Sequence, residues 1–348
     1  MDLRQRINAF IKLGDFLSQF MASPRGNTPD SDLINGFKHQ LKLAGENNGW
    51  FTKDNLNFAI QSWANCLTEY NLKAWTNRYN FSLIKVKQVA IIMAGNIPLV
   101  GFHDFLSVLI TGHDVLVKLS SNDKHLLPYL AKYLEYVEPD FKGKIRFTED
   151  KLEDFDAVIA TGSNNTARYF EYYFKDKPSI IRQNRNSVAI LMGKETEIQM
   201  EALSDDIFRY FGLGCRSVSK IYVPQNYNFD AFFKGVYKWK NIIEQTKYAN
   251  NYDYNKAVYI MSEFDMLENG FLMIKEDENF GSPIATVFYE KYSDITELKE
   301  KLNAQKHNIQ CIVADGFSTT EIEFGKTQEP QLWDYADNVD TVNFLLKL

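Results

Sequence analysis

In Phe211-Gly212-Leu213-Gly214-Cys215-Arg216-Ser217 two glycines lead directly into one of only three cysteines of the chain. Glycine permits tight backbone turns and carries no side chain, so the sulfur is left unshielded by its neighbours. The stretch before it places Leu203, Ile207, Tyr210 and Phe211 at helical spacing, and residues 218–223 read as a strand closed by Pro224. A thiol between a helix end and a strand start, beside the Arg216 cation, sits where a thiolate nucleophile is favoured. Free cysteine is also among the most buried residue types. Taken alone, the segment is open to either role.

A second group of polar residues recurs at strand ends. The unbroken apolar run Val89-Ala90-Ile91-Ile92-Met93 reads as a strand buried on both faces, the pattern of parallel sheets, and it ends in Gly95-Asn96-Ile97-Pro98. A helix is expected over 99–110. A strand over 114–118 then runs through Lys118 into Leu119-Ser120-Ser121. Next come a helix over 124–137, strands over 144–147 and 156–160, the turn Thr161-Gly162-Ser163-Asn164, and a helix over 165–174. Strand and helix alternate as βαβ units require, which makes this a doubly wound α/β region whose ligand belongs at the carboxyl ends of the strands. Those ends are small, polar or cationic. Gly162-Ser163 opening a helix suits an anion, because free amides and the positive helix end both favour it, although the same pair makes an ordinary capped turn. No G-x-G-x-x-G fingerprint occurs.

The elements that must position these groups follow from periodicity. Leu3, Ile7, Phe10, Leu13, Leu17 and Phe20 form an amphipathic helix that ends before a loop at 23–27. A second helix is expected over 31–43, and a third from residue 52 with Leu56, Ile60, Trp63, Leu67 and Tyr70 as its inner stripe and Cys66 beside it in the core. After Arg182 a second α/β stretch begins. It comprises a strand over 188–192, the helix leading to Cys215, a strand over 220–223, a helix over 229–248, a strand over 257–261 and a loop over 275–283. A strand over 284–289, a helix over 294–303 and a strand over 309–314 holding a buried, inert Cys311 complete it. Residues 325–348 read as irregular, with Trp333 and Tyr335 available for packing.

Composition narrows the class. The chain has 348 residues, enough for two domains of ordinary size, and its net charge of −6 is spread over interspersed acids and bases, so no basic face is offered to nucleic acid. Cys66, Cys215 and Cys311 are odd in number, far apart and without metal-ligand spacing, which points to a reducing compartment and to no metal site. Acidic Asp2 and recurring polar residues stand where a signal peptide needs an apolar stretch, and no run approaches membrane-spanning length. A soluble, cytoplasmic protein is expected.

Five motifs, in this order, together resemble the aldehyde dehydrogenase superfamily, and within it the acyl-CoA reductases of the bacterial fatty acid reductase type, over residues 81–325. Gly95-Asn96-Ile97-Pro98 is similar to the asparagine-proline loop whose amide helps form an oxyanion hole. Val117-Lys118-Leu119-Ser120 resembles the Lys-Pro-Ser segment on the cofactor ribose, with Leu119 for the proline. Thr161-Gly162-Ser163 resembles the turn near the pyrophosphate, and Gly214-Cys215 the approach to the nucleophile. Glu278-Asn279-Phe280-Gly281-Ser282-Pro283 resembles the Glu-x-Phe-Gly-Pro motif with one residue inserted, whose glutamate binds the nicotinamide ribose.

The resemblance implies an α/β, aldehyde dehydrogenase-like fold: an N-terminal helical layer over 1–80, a Rossmann-type cofactor domain over 81–185, a catalytic domain with Cys215 over 186–321, and a segment over 322–348 returning to the cofactor domain. It implies catalytic Cys215 and Asn96, and cofactor binding by Lys118, Ser120, Ser121, Gly162, Ser163 and Glu278. It also implies a homo-oligomer, with coenzyme A as part of the substrate. Fatty acid reductases work beside an acyl-activating partner enzyme; the sequence leaves open whether this chain has one.

Two departures refine the expectation. Arg182 stands where aldehyde-oxidising members carry a glutamate that activates water, and a guanidinium is no base at neutral pH. Arg182 and Arg185 are also candidates for coenzyme A phosphates, against the commoner structural or surface role. Ser121 replaces an acid that would repel a 2′-phosphate, and with Lys118 and Lys124 nearby this favours NADPH over NADH. The expected reaction is NADPH-dependent reduction of an acyl-CoA, of fatty acyl type, to the aldehyde through a Cys215 acyl-enzyme. An aldehyde-oxidising enzyme, an acyl-phosphate reductase and a catalytically silent partner subunit are the alternatives.

Overall fold

The computed structural model describes residues 1–22, 31–81 and 84–348. The loop expected at 23–27 lies outside the described residues. The chain divides into two compact units, one of residues 1–183 with 331–348, the other of residues 184–330.

The first unit opens with four helices: α1 (Leu3–Ala22), α2 (Ser31–Asn47), α3 (Lys53–Cys66) and α4 (Glu69–Thr76). The α1 stripe buries Ile7, Phe10, Leu13 and Leu17, as its spacing requires. Gly14 lets α1 approach the α3–α4 corner so closely that a Cβ there would sit 2.4 Å from the Leu67 carbonyl oxygen. The third helix ends earlier than its stripe suggests. The Thr68 side chain accepts from Asn71 N–H and starts a new helix, so the phase changes and Tyr70, expected inside, is 79% exposed. Cys66 is half-buried.

Five parallel strands follow: β1 (Gln88–Ile92), β2 (Asp114–Lys118), β3 (Ile145–Phe147), β4 (Ala157–Thr161) and β5 (Ser179–Arg182), in the order β3-β2-β1-β4-β5. Helices α5 (Phe102–Thr111), α6 (Leu126–Val137) and α7 (Asn164–Tyr173) make the crossovers. Val89, Ala90, Ile91, Val115 and Val117 are almost wholly buried, which is why their runs are apolar without alternation. At four residues β5 is too short for a pattern to be read.

The second unit contains β6 (Asn186–Ile190), α8 (Glu197–Phe208), β7 (Val218–Pro224), α9 (Asp230–Val236), α10 (Thr246–Met261), β8 (Met266–Glu268), β9 (Met273–Glu276), β10 (Thr286–Tyr292), α11 (Ile295–Ala304) and β11 (Ile309–Val313). Its sheet runs β11-β6-β7-β10-β9-β8, parallel except for the antiparallel pair β8–β9. The strand expected over 257–261 is the end of α10. Its residues favour strand by type, but Tyr248, Tyr252, Asn255 and Tyr259 recur every three or four positions and are the ones buried, so helical packing prevails. The helix expected over 229–248 breaks into α9, a 3-10 stretch Tyr237–Glu244 and the start of α10. Cys311 is buried in β11, as expected.

Residues 331–348 belong to the first unit and are more ordered than their composition suggests. They carry a 3-10 turn and α12 (Thr341–Leu345), which Asp340 caps by accepting from Asn343 N–H. Trp75 Nε1 donates to the Tyr335 hydroxyl at 2.7 Å, and the Arg78 guanidinium lies 4.4 Å from the Trp333 ring centre. His103 Nε2 donates to Leu332 O and His113 Nε2 to Leu345 O, each at 2.9 Å.

Candidate active site

In the second unit, α8 runs into a 3-10 stretch, Arg209–Gly212, in which Tyr210, Phe211 and Gly212 all have φ between 55° and 75°. Three successive residues in the left-handed region reverse the chain sharply before Leu213 and Gly214. Glycine is at ease there, but Tyr210 and Phe211 are not, and their buried rings hold the strained turn in place. Of the two glycines, Gly212 alone has positive φ. Cys215 emerges exposed from this turn.

Several polar groups fix the segment around the thiol. Ser187 Oγ donates to the Cys215 carbonyl oxygen at 2.9 Å, Arg216 Nε donates to Thr327 O, and Gln328 Nε2 donates to Ser217 Oγ at 3.3 Å. Thr327 is held in turn by Asp206 of α8, whose carboxylate accepts from Gly325 N at 2.6 Å, Thr327 N at 2.9 Å and Thr327 Oγ1 at 2.8 Å. Burial pushes the Asp206 carboxyl up to about 6, against the pull of those three bonds. Residues 325–328 thus brace the thiol loop from a distance in sequence that no local pattern reveals.

Glu278 lies exposed on the loop between β9 and β10. The Asp277 carboxylate accepts from both Asn279 nitrogens and from Lys275 Nζ. Two residues of β7 reach the same loop: Ser219 Oγ donates to Phe280 O at 2.7 Å, and Lys220 Nζ donates to Glu278 O at 2.8 Å.

In the first unit, the carboxyl ends of the neighbouring strands β2, β1 and β4 bring Lys118 and Ser120, Asn96, and Gly162 with Ser163 to one edge of the sheet. The loops after β1 and β2 touch: a Cβ on Gly95 would sit 2.6 Å from Ser120 Oγ. Asp123 ties them together. Its Oδ2 accepts from Leu99 N at 2.8 Å, where Leu99 adopts φ 57°, and its Oδ1 is buried with no hydrogen-bond partner among the described residues. Burial pushes this carboxyl up to about 7. From the end of α2, Asn48 Nδ2 donates to Gly95 O at 3.3 Å and Asn47 Nδ2 to Ser121 O at 2.8 Å. Lys118 Nζ donates to Asp150 O at 2.9 Å. The Ser163 side chain caps α7 by accepting from Thr166 N–H.

Arg182 closes β5 as a structural residue. Its side chain is 5% exposed and forms an ion pair with Asp104, Nη2 to Oδ1 at 2.6 Å and Nε to Oδ2 at 3.3 Å. The same guanidinium donates to Ala336 O at 2.8 Å and Thr341 Oγ1 at 3.0 Å. Burial opposes the charge, and Asp104 more than offsets it. Committed to these four acceptors, Arg182 is not available to coenzyme A phosphates. Among the described residues no cluster of histidine, cysteine and acids is arranged to hold a metal ion, and no helix is long and apolar enough to cross a membrane.

Both units have counterparts in solved structures. The chain superposes over 90% of its length on 72% of an indole-3-acetaldehyde dehydrogenase in complex with NAD+, with a TM-score of 0.62 at 13% identity. It superposes over 100% on 84% of aldehyde dehydrogenase 21 from Physcomitrella patens in complex with succinate (0.67, 12% identity). For an NAD+ complex of the Bacillus cereus aldehyde dehydrogenase the figures are 90% and 72% (0.60, 14% identity). The fold is that of the aldehyde dehydrogenases, α/β with a helical N-terminus. No curated protein matches the chain in sequence. Residues 50–234, more than half of the chain, match the acyl-CoA reductase (LuxC) family, and the chain belongs to it. It is an oxidoreductase of acyl-CoA and aldehyde chemistry.

Sequence reasoning overlooked Ser187, Asp206, Lys220 and Thr327. The one available signal was Lys220, a lysine inside an otherwise apolar strand.

Proposed function

We propose that this chain reduces an acyl-CoA thioester, of fatty acyl type, to the aldehyde through an acyl-enzyme on Cys215, with NADPH as reductant. The observation that carries the reading is the exposed Cys215 thiol at a strained turn in a chain of this family. The thiolate adds to the carbonyl carbon of the thioester, and the tetrahedral adduct collapses with loss of the coenzyme A thiolate. When bound, a reduced nicotinamide supplies the hydride. The resulting thiohemiacetal oxyanion on Cys215 then collapses with cleavage of the C–S bond, releasing aldehyde and regenerating the thiolate. The Asn96 amide and the Cys215 backbone N–H take the role of oxyanion donors.

The residues at the sheet edge of the first unit fit a dinucleotide. Gly95 lets the loop after β1 close onto Ser120 and Gly162 lets the end of β4 pack onto Thr166 of α7, and Ser163 opens α7, a helix long enough to present a positive end to pyrophosphate. Lys118 and Ser120 would hold the adenosine ribose, and Glu278 the nicotinamide ribose. The NAD+ complexes of the similar aldehyde dehydrogenases support a nicotinamide cofactor. NADPH is favoured because Ser121 brings no carboxylate and the adjacent acid, Asp123, is turned inward to Leu99. The engagement of Arg182 with Asp104 supports slow hydrolysis, since the glutamate base of the oxidising enzymes has no counterpart there.

Incubation with acyl-CoA in the absence of cofactor, followed by intact-mass analysis, tests the reading. One acyl adduct on the wild type and none on Cys215→Ala is the expected result; an adduct persisting in the variant sinks the assignment. An NADPH-oxidation assay over acyl-CoAs of increasing length identifies the substrate. Turnover of aldehyde with NADP in the absence of free coenzyme A would instead make the protein an ordinary aldehyde-oxidising enzyme.

A further inference from the structure

Lys220 is the largest anomaly of the second unit: a lysine that is 0% exposed in the middle of β7. Burying an ammonium is expensive unless its donors are used, and an apolar residue of the same size would be cheaper if only packing were needed. Its donors are used on two acceptors, the Glu290 carboxylate at 2.8 Å and the Glu278 carbonyl oxygen at 2.8 Å. Lys301 donates to the other Glu290 oxygen, so the carboxylate is held between two cations. The rings of Tyr222 and Phe280 lie 5.0 and 5.4 Å from the Lys220 ammonium, within cation–π reach.

The register of β7 explains why two consecutive side chains reach one loop. Against β6, Val218 pairs with Ser187 and Lys220 with Val188, so Ser219 is an extra residue opposite no partner. Such a bulge interrupts the strict alternation of side chains and re-aims them. Ser219 Oγ thereby bonds Phe280 O, and Lys220 Nζ bonds Glu278 O, from adjacent positions. At the same place Ser187, the last residue of β6 in register before the bulge, donates to the Cys215 carbonyl oxygen. One irregularity therefore ties the nucleophile's backbone and the Glu278 loop to the same strand pair.

We propose that Lys220, assisted by Ser219, is a positioning residue for the cofactor step: it fixes the Glu278–Phe280 backbone to the strand that follows Cys215, and so sets where a nicotinamide ribose can sit relative to the acylated thiol. This rests on the reading of Glu278 as the ribose partner. Acylation of Cys215 needs no cofactor and does not depend on that loop.

The test uses the full-length protein and separates the two half-reactions. In Lys220→Met, the NADPH dissociation constant, read by fluorescence titration, and the KM for NADPH are expected to rise about tenfold or more. The KM for acyl-CoA and the single-turnover rate of Cys215 acylation are expected to stay within about threefold of wild type. Ser219→Ala, which removes only the bond to Phe280, is the second variant and is expected to shift NADPH binding in the same direction by about threefold. It decides the matter if Lys220→Met does not fold. Unchanged NADPH affinity with only a lowered melting temperature, a parallel fall in acylation, or no NADPH binding by the wild type overturns the proposal. Failure of wild-type Cys215 to acylate overturns the proposed reaction instead, and the titration still reads the loop.

Discussion

Residues placed under loops govern this protein as much as the residues that face substrate. Asp123 is the clearest case, because its buried carboxyl holds the loop of Asn96 through Leu99. Its folded pKa of about 7 lies above the unfolded value of 3.8, so between these values the folded chain retains a proton that the unfolded chain has lost. The stability it contributes is full in acid and is lost as pH rises through about 7, by up to roughly 4 kcal/mol at about 1.4 kcal/mol per unit. Asp123→Asn, which keeps an acceptor for Leu99 N–H, is expected to flatten the fall in melting temperature between about pH 4 and 7 and to leave the slope above pH 7 unchanged; an unaltered slope below pH 7 would remove Asp123 as its source. Asn96→Ala is expected to slow steady-state turnover about a hundredfold or more while leaving the melting temperature near wild type, the loss typical of one oxyanion donor. At Arg182 the expectation concerns stability. Arg182→Met leaves Asp104 buried without its cation and should destabilise the fold by about 3–5 kcal/mol, and adding Asp104→Leu should restore much of that loss, as thermal melts of both variants would show.

At the scale of elements, close approaches set the layers. Gly14 faces the Leu67 backbone, which cannot move aside as a side chain would, so Gly14→Ala should force α1 away from the α3–α4 corner at about 1–3 kcal/mol, measurable as a lower melting temperature. The elements that were legible in the sequence are those whose burial keeps one pattern along their length, continuous in the strands and periodic in the helix. The β1 and β2 runs and the α1 stripe advertise one environment each, and their positions follow within a residue or two. Elements were misread where a cap or a packing partner decides: Thr68 restarts the helix and exposes Tyr70, and four buried residues at helical spacing turn a strand-like segment into the end of α10. The candidate site divides in the same way. Cys215, Asn96, Lys118 and Gly162 stand out because turns and strand ends have sequence signatures, and Glu278 stands out only through the resemblance of its segment to a family motif. Asp206, Ser187 and Lys220 act on segments far along the chain, through contacts that no local spacing encodes.

For the whole molecule, the decisive feature is that the second unit, 184–330, is inserted between two parts of the first. Residues 331–348 supply Ala336 O and Thr341 Oγ1 to Arg182, Leu332 O to His103 and Leu345 O to His113, all in or beside the core. A chain ending at Pro330 would leave His103 Nε2 and His113 Nε2 without these acceptors and Arg182 with Asp104 alone, so its first unit is expected to lose cooperative unfolding, followed by the fluorescence of Trp50, Trp63 and Trp75. Retention of a sharp transition by that shortened chain would show that the closing segment is dispensable. The same arrangement imposes a schedule on the ribosome. At about 5–20 residues per second, the 1–183 segment must wait roughly 7–30 s while the inserted unit is translated before its closing strap emerges. During that interval the helices of the first unit stand with an unfinished core, lacking Leu332, Val342 and Leu345.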